Sequence, residues 1–168
     1  IAYLAAILEQ SGIGVSLIDS QLHFSIDDAI EEIVGLHPDI VGISITTAYA
    51  NLARKMIRKI YSLLEEIPII AGGPHCTNCH FQLLQQIPEL TAIVRGEGEL
   101  VITELVRHLF QGEALAGIQN VTYRNGKDII VNPQAPPIED LDSLPLPARH
   151  LLPPLRFYGN RGSILSSR

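Results

Sequence analysis

Apolar positions along this chain recur with two alternating periods. Ile1, Leu4, Ala5 and Leu8 follow an i, i+3, i+4, i+7 spacing, which predicts a helix over residues 1–10 stopped by Ser11-Gly12. Val15-Ser16-Leu17-Ile18 predicts a strand. Ser25 is placed to cap a helix with Ile26, Ile30, Ile33 and Val34 on its core face, and Asp27 and Asp28 suit its electropositive first turn. Ile40 to Ile45 is nearly continuous in apolar residues, as in a parallel strand buried on both faces. Tyr49, Leu52, Ala53, Met56, Ile57, Ile60 and Leu64 form the longest helical stripe. Ile69-Ile70-Ala71 predicts a strand, residues 77–87 a helix with Phe81 and Leu84 inward, 92–94 a strand, and 100–110 a helix ended near Gly112. This alternation predicts an α/β domain: a doubly wound parallel sheet of the flavodoxin-like type with helices on both faces.

The pattern then changes. Val121 to Val131, turning at Asn125-Gly126, predicts a β-hairpin. Seven of the eleven prolines fall between Pro133 and Pro154, a semi-rigid extended linker. The expected organisation is an α/β domain over 1–112, a hairpin over 113–135 and a linker over 136–168 leading to a further domain. The chain opens without Met and inside a helical pattern, which predicts that a first strand precedes Ile1. In the common doubly wound orders that strand is central, so without it the fragment is expected to be poorly stable or paired in a non-native way.

Composition narrows the function classes. Apolar residues make up 46% of the chain, enough for a core, and the formal charge of -6 disfavours nucleic acid as a partner. Arg54, Lys55, Arg58 and Lys59 belong to the outer face of a helix. No apolar run reaches the roughly 20 residues of a membrane span. Two cysteines do not make a disulfide scaffold, which points to a reducing cytoplasm.

The candidate chemistry lies where the predicted strands end. Gly72-Gly73-Pro74-His75 follows one strand directly, and adjacent glycines admit a close approach to the backbone. Ser44, Thr46 and Thr47 close the preceding strand. About 25 residues separate Thr46 from Gly72, room for one crossover helix. Both groups are then expected at the sheet edge where open α/β folds bind ligands. Alternatively, Thr46 or Thr47 caps the next helix and Gly72-Gly73 merely turns the chain. Gly96-Glu97-Gly98-Glu99 follows the last strand, and its backbone can line the same pocket or simply start a helix. It is no phosphate loop: Lys-Ser/Thr is absent and two carboxylates repel phosphate. G-x-G-x-x-G after a strand is also missing.

His75-Cys76-Thr77-Asn78-Cys79-His80 is compatible with haem attachment, a redox pair or zinc. Each conflicts with its setting, and incidental cysteines beside a ligand pocket, with His75 lining it, fit better. His23, His37, His108 and His150 read as surface or loop residues. Asp19 faces the ligand edge or serves a turn. Tyr123 reads as a cross-strand hairpin residue.

Taken in order, five segments carry a resemblance: residues 1–6, Pro38 to Ser44, Gly72 to His75, Val94 to Glu99 and Pro137 to Pro145. Over essentially the whole chain it resembles the N-terminal part of radical S-adenosylmethionine proteins that contain a cobalamin-binding domain. Ser163 to Arg168 resembles the strand entering the radical domain, just before the family's cluster cysteines. The resemblance implies cobalamin as cofactor, with its nucleotide tail beside the sheet and the corrin over the strand ends. By position it implies Ser44, Thr46, Gly72, Gly73, Gly96 and Glu97 as cofactor-binding residues, and the strand-end reading adds Thr47, Pro74 and His75 to them. It also implies a parent enzyme with a 4Fe-4S cluster and S-adenosylmethionine, which transfers methyl groups through methylcobalamin or uses cobalamin in another radical reaction. The D-x-H-x-x-G cobalt-ligand motif of related domains would lie before Ile1, so no histidine here is named as a cobalt ligand, and with neither the cluster cysteines nor a nucleophile-base pair this segment is expected to have no catalytic centre of its own. The competing readings are a nucleotide- or flavin-binding domain on the same fold and a signalling receiver domain. The latter lacks its expected Lys after the last strand.

Overall fold

The computed structural model describes residues 1–23, 25–65 and 67–158. Its elements are α1 (Ala2–Gln10), α2 (Ile26–Gly35), β1 (Val41–Ser44), α3 (Ala50–Leu64), β2 (Ile69–Gly72), α4 (Pro74–Gln86), β3 (Ala92–Val94), α5 (Ile102–Gln111), β4 (Val121–Asn125) and β5 (Asp128–Val131). The strands form one sheet in the order β1-β2-β3-β4-β5. β1, β2 and β3 are parallel, joined by the crossover helices α3 and α4. The hairpin continues that sheet: β4 runs antiparallel to β3, with Val94 opposite Val121 and Ala92 opposite Tyr123.

Side chains alternate across the strands and build two cores. Ile69, Ala71 and Ile93 face α2, α3 and α4, where Ile30, Ile57, Ile60 and Leu84 are fully buried. Ile70, Ala92, Val94, Val121 and Tyr123 face α1 and α5. The cap on α2 forms as the sequence predicts. Ser25 Oγ accepts from the Asp28 amide at 3.2 Å, and the Asp28 carboxylate accepts from the Ser25 amide at 2.9 Å.

Several expectations need correction. Val15-Ser16-Leu17-Ile18 pairs with no described strand. A strand needs a backbone partner, and this run instead packs Val15 and Leu17 against the cluster of Ala5, Ala6 and Ala148. β1 is not buried on both faces: Gly42 and Ser44 are exposed, because β1 is the outer strand. The stripe on α3 buries Ala53, Met56, Ile57 and Ile60 but not Tyr49, which lies in a 3-10 turn before the helix, nor Leu52 in its first turn. Phe81 is 39% exposed while Leu84 is buried. The hairpin turn sits one residue later than predicted, since Asn125 pairs with Asp128 and leaves Gly126-Lys127 as the loop. Gly126 takes φ 59°, with glycine first as in a type II′ turn. Residues 163–168, read as a strand entrance, lie outside the described residues. Among the described residues no helix is long and apolar enough to cross a membrane.

Candidate functional site

The three parallel strands end at one edge, at Ser44, Gly72 and Val94. The chain is drawn together there by short bonds. The Ile45 amide donates to the Gly72 carbonyl at 2.8 Å, and the His75 amide donates to the Ile45 carbonyl at 3.2 Å. Thr47 Oγ1 and His75 Nδ1 share a hydrogen bond of 3.2 Å. Thr77 Oγ1 accepts from the Gly96 amide at 2.9 Å and donates to the Gly73 carbonyl at 3.3 Å. The edge therefore gathers Ser44, Thr46, Thr47, Gly72, Gly73, Pro74, His75 and Gly96 into one rim.

Thr77 escaped the sequence reading. The helical pattern makes it a helix start, yet it ties the loop after β2 to the loop after β3. α4 begins at Pro74, three residues before the predicted start, with Pro74 in its first turn where a missing N–H costs nothing. A hydroxyl one turn into a helix that follows Gly-Gly was the available signal.

The capping alternative for the threonines is not realised. Thr46 precedes a 3-10 turn but its side chain makes no cap bond, and the residue before α3 is Tyr49. Ser44, Thr46 and Thr47 are all exposed at the edge. Asp19, by contrast, serves its turn: its side chain accepts from the Gln21 amide at 3.0 Å.

The glycines divide by cause. Gly73 has φ 97°, and a Cβ there would lie 2.9 Å from the Ile45 carbonyl oxygen and 3.2 Å from the Ile45 amide nitrogen. Its bareness is required by the protein's own backbone. Gly96 has φ 62° and open space around it. Gly72 and Gly42 are different. Neither has a positive φ, and added Cβ atoms would make ordinary 3.8 Å contacts with the Val94 carbonyl oxygen and Ile70 Cγ1 respectively. By alternation from Ile70 and from Val41, Gly72, Gly42 and Ser44 share the sheet face that α1 and α5 cover farther along. Ser44 lies directly opposite Gly72 in the register. The outer part of this face is thus floored by two bare backbones and one small hydroxyl.

The cysteines and outer histidines do other work. Cys76 is buried in the first core, and burial followed by the charge of Cys79 pushes its thiol up to about 12. Such a thiol stays protonated, the opposite of an activated redox cysteine. Cys79 packs on the same core where α4 departs from helical geometry, at φ −120°. His80 Nδ1 shares a 3.0 Å bond with Thr122 Oγ1, on β4. Burial and then Arg95 hold the His80 imidazole below its usual value. His75 and His80 thus engage different elements and do not converge on one ion. Among the described residues no group of three or more His, Cys, Asp or Glu side chains is placed to hold a metal.

Glu97 is placed differently from the rest of the rim: its carboxylate Oε2 accepts from the Ile138 amide at 2.8 Å.

Residues 1–106 match the family described as "B12 binding domain". Over 156 residues the chain is 35% identical to an uncharacterised methyltransferase of Pyrococcus horikoshii, covering 91% of this chain and 33% of that protein. It is also 35% identical over 151 residues to an anaerobic magnesium-protoporphyrin IX monomethyl ester cyclase of Rubrivivax gelatinosus, covering 86% of this chain and 27% of the relative. The chain thus spans about a third or less of these relatives. Among solved structures, the cobalamin-dependent S-adenosylmethionine radical enzyme OxsB, with aqua-cobalamin and S-adenosylmethionine bound, has a similar fold. The TM-score is 0.77 at 24% identity, over 90% of this chain and 21% of that one.

Proposed function

The chain belongs to the B12-binding domain family, and from that premise we propose that its cobalamin lies on the rim formed by Ser44, Thr46, Thr47, Gly72, Gly73, Pro74, His75, Gly96 and Glu97. The observation that carries this placement is the bare floor at Gly72 and Gly42. Glycine inside a strand costs about 0.5–1 kcal/mol relative to alanine, and here the fold itself would accept the extra carbon. Space kept open at such a cost fits a bulky group lying against the sheet.

The residues present suit that group. The hydroxyls of Ser44, Thr46 and Thr47 are exposed at the edge and can exchange hydrogen bonds with the amide and phosphate groups of a corrinoid. Gly73 and Pro74 set the turn that brings His75 beside Thr47. The backbones of Gly96 and Glu97 line the far side. When bound, cobalamin supplies a cobalt centre able to carry a methyl group. The chain's own part is to bind it, orient it and cover one side of it.

The chain covers only part of its relatives, so we assign catalysis to a longer parent. We propose a radical S-adenosylmethionine enzyme, most simply a methyltransferase, whose 4Fe-4S cluster and S-adenosylmethionine are held by a radical domain in the same parent chain. The methyltransferase name of the Pyrococcus horikoshii relative supports this reading. The acidic balance of the chain speaks against nucleic acid as a partner. Cys76 and Cys79 are free thiols, in keeping with a cytoplasmic parent. A nucleotide- or flavin-binding role is not favoured by the family match.

The test is to incubate the purified chain separately with hydroxocobalamin, FMN and ADP, desalt, and record absorption. Retained corrin bands near one equivalent, with no retained flavin or nucleotide, are expected. Retention of FMN or ADP in place of corrin would overturn the assignment.

A further inference from the structure

Resting on the cobalamin reading above, we propose that Glu97 is a positioning residue: its carboxylate latches the proline-rich segment after β5 onto the β3–α5 loop and so holds the rim at Gly96.

The segment from Pro133 to Ile138 contains three prolines, Pro133, Pro136 and Pro137, so its amide donors are Gln134, Ala135 and Ile138 alone. Two of those three are captured by side chains flanking the sheet. Ala135 donates to Asn120 Oδ1 at 2.8 Å, and Ile138 donates to Glu97 Oε2 at 2.8 Å. The first pin is itself built in. Asn120 is 3% exposed with φ 61°, its amide donates to the Pro133 carbonyl at 2.9 Å, and its carbonyl accepts from the Arg95 amide at 2.8 Å. The Arg95 guanidinium donates to the Asn132 carbonyl, and Asn132 Nδ2 donates to the Leu115 and Ile118 carbonyls at 2.7 and 2.9 Å. A segment whose φ angles are restricted by proline keeps its direction between two pinned points.

The second pin reaches the rim. From the Ile138 amide the path runs to the Glu97 carboxylate. It continues from the neighbouring Gly96 amide to Thr77 Oγ1, and from that hydroxyl to the Gly73 carbonyl. The linker and the Gly-Gly turn are therefore ends of one path of hydrogen bonds, joined in its middle by the covalent Gly96–Glu97 backbone. A displacement of the chain beyond residue 138 is transmitted to the rim through this carboxylate.

The experiment compares the wild-type chain with Glu97→Gln, Glu97→Ala and the double variant Pro136→Gly/Pro137→Gly. Two readouts are used: amide hydrogen exchange at Ala135 and Ile138, and hydroxocobalamin affinity by spectral titration. Glutamine keeps an acceptor for the Ile138 amide, so Glu97→Gln should keep Ile138 protected and hold cobalamin more tightly than Glu97→Ala does. Glu97→Ala should exchange Ile138 about tenfold faster and bind cobalamin about fivefold to tenfold more weakly, the loss of one charge-assisted bond. The double glycine variant loosens the segment without touching Glu97 and should weaken cobalamin similarly, which keeps the test decisive if Glu97→Ala fails to fold. Unchanged affinity in Glu97→Ala or the glycine variant despite fast exchange at Ile138 would overturn the proposal. So would lost affinity in Glu97→Gln with Ile138 still protected, because the carboxylate would then be a ligand contact. If wild type binds no cobalamin, the rim reading fails, while the exchange data still report separately whether the latch exists.

Discussion

At Gly72 an added methyl would rest 3.8 Å from the Val94 carbonyl oxygen, whereas at Gly73 it would strike the Ile45 backbone at 2.9 Å. The two adjacent glycines therefore make opposite predictions. Gly72→Ala should leave the melting temperature unchanged or raise it, by the equivalent of about 0.5–1 kcal/mol, while weakening cobalamin binding. Gly73→Ala should lower stability by more than about 1 kcal/mol, since it adds strain at a positive φ to the clash. Thermal melts and spectral titrations of the two variants separate them. His80 gives a pH dependence of known sign. Its folded-state value is held below the usual 6.5 by burial and then Arg95. Below that pH the unfolded chain takes up a proton that the folded chain resists. The stability tied to His80 is therefore present above about pH 6.5 and lost as pH falls from there through the lower folded-state value. Melts from pH 8 to pH 5 should show this decline, and His80→Gln should flatten it. For Cys76 the sign reverses. Its value rises from 9.0 to about 12, so its contribution holds below pH 9 and fades as pH climbs toward 12.

Among the elements, α2 offers a clear local test. Both halves of its capping box are formed, so Ser25→Ala should cost about 1 kcal/mol in a denaturant titration. This cap was legible because it needs only residues three apart. The crossover helices and the three parallel strands were legible for a related reason: their apolar periods are local and strong. What failed depended on partners distant in sequence. Val15 to Ile18 has the composition of a strand, but pairing depends on which backbone lies alongside, and these side chains settle on α1 instead. The hairpin turn was placed one residue early because Asn-Gly is also a good turn pair. The register that makes Gly126 the first loop residue is set by Thr122 opposite Val131 and Tyr123 opposite Ile130. The start of α4 was read three residues late because Pro74 resembles a breaker until it is seen in a first turn. At the candidate site, the rim residues were legible from their place at strand ends. Which glycine is bare for the protein's own sake, and which is not, was hidden until Ile45 was seen across from Gly73. Thr77 and the Glu97 latch were hidden for the same reason.

At the scale of the whole molecule, the sheet does two things at once. Its parallel half, β1 to β3, brings three strand ends to a single edge, and its antiparallel half, β4 and β5, carries the chain back so that the proline-rich segment meets the loop after β3. The proposed cofactor rim and the proline-rich segment are thus neighbours by topology. The measurement that tests this account most directly is hydroxocobalamin retention by the wild-type chain and by Gly72→Val, each paired with its own melting curve. The account predicts corrin bands retained near one equivalent by wild type, and lost from a Gly72→Val chain that melts as cooperatively as wild type. Equal retention by a folded Gly72→Val chain would contradict it, because the bare floor beside Ser44 would then not be where cobalamin lies.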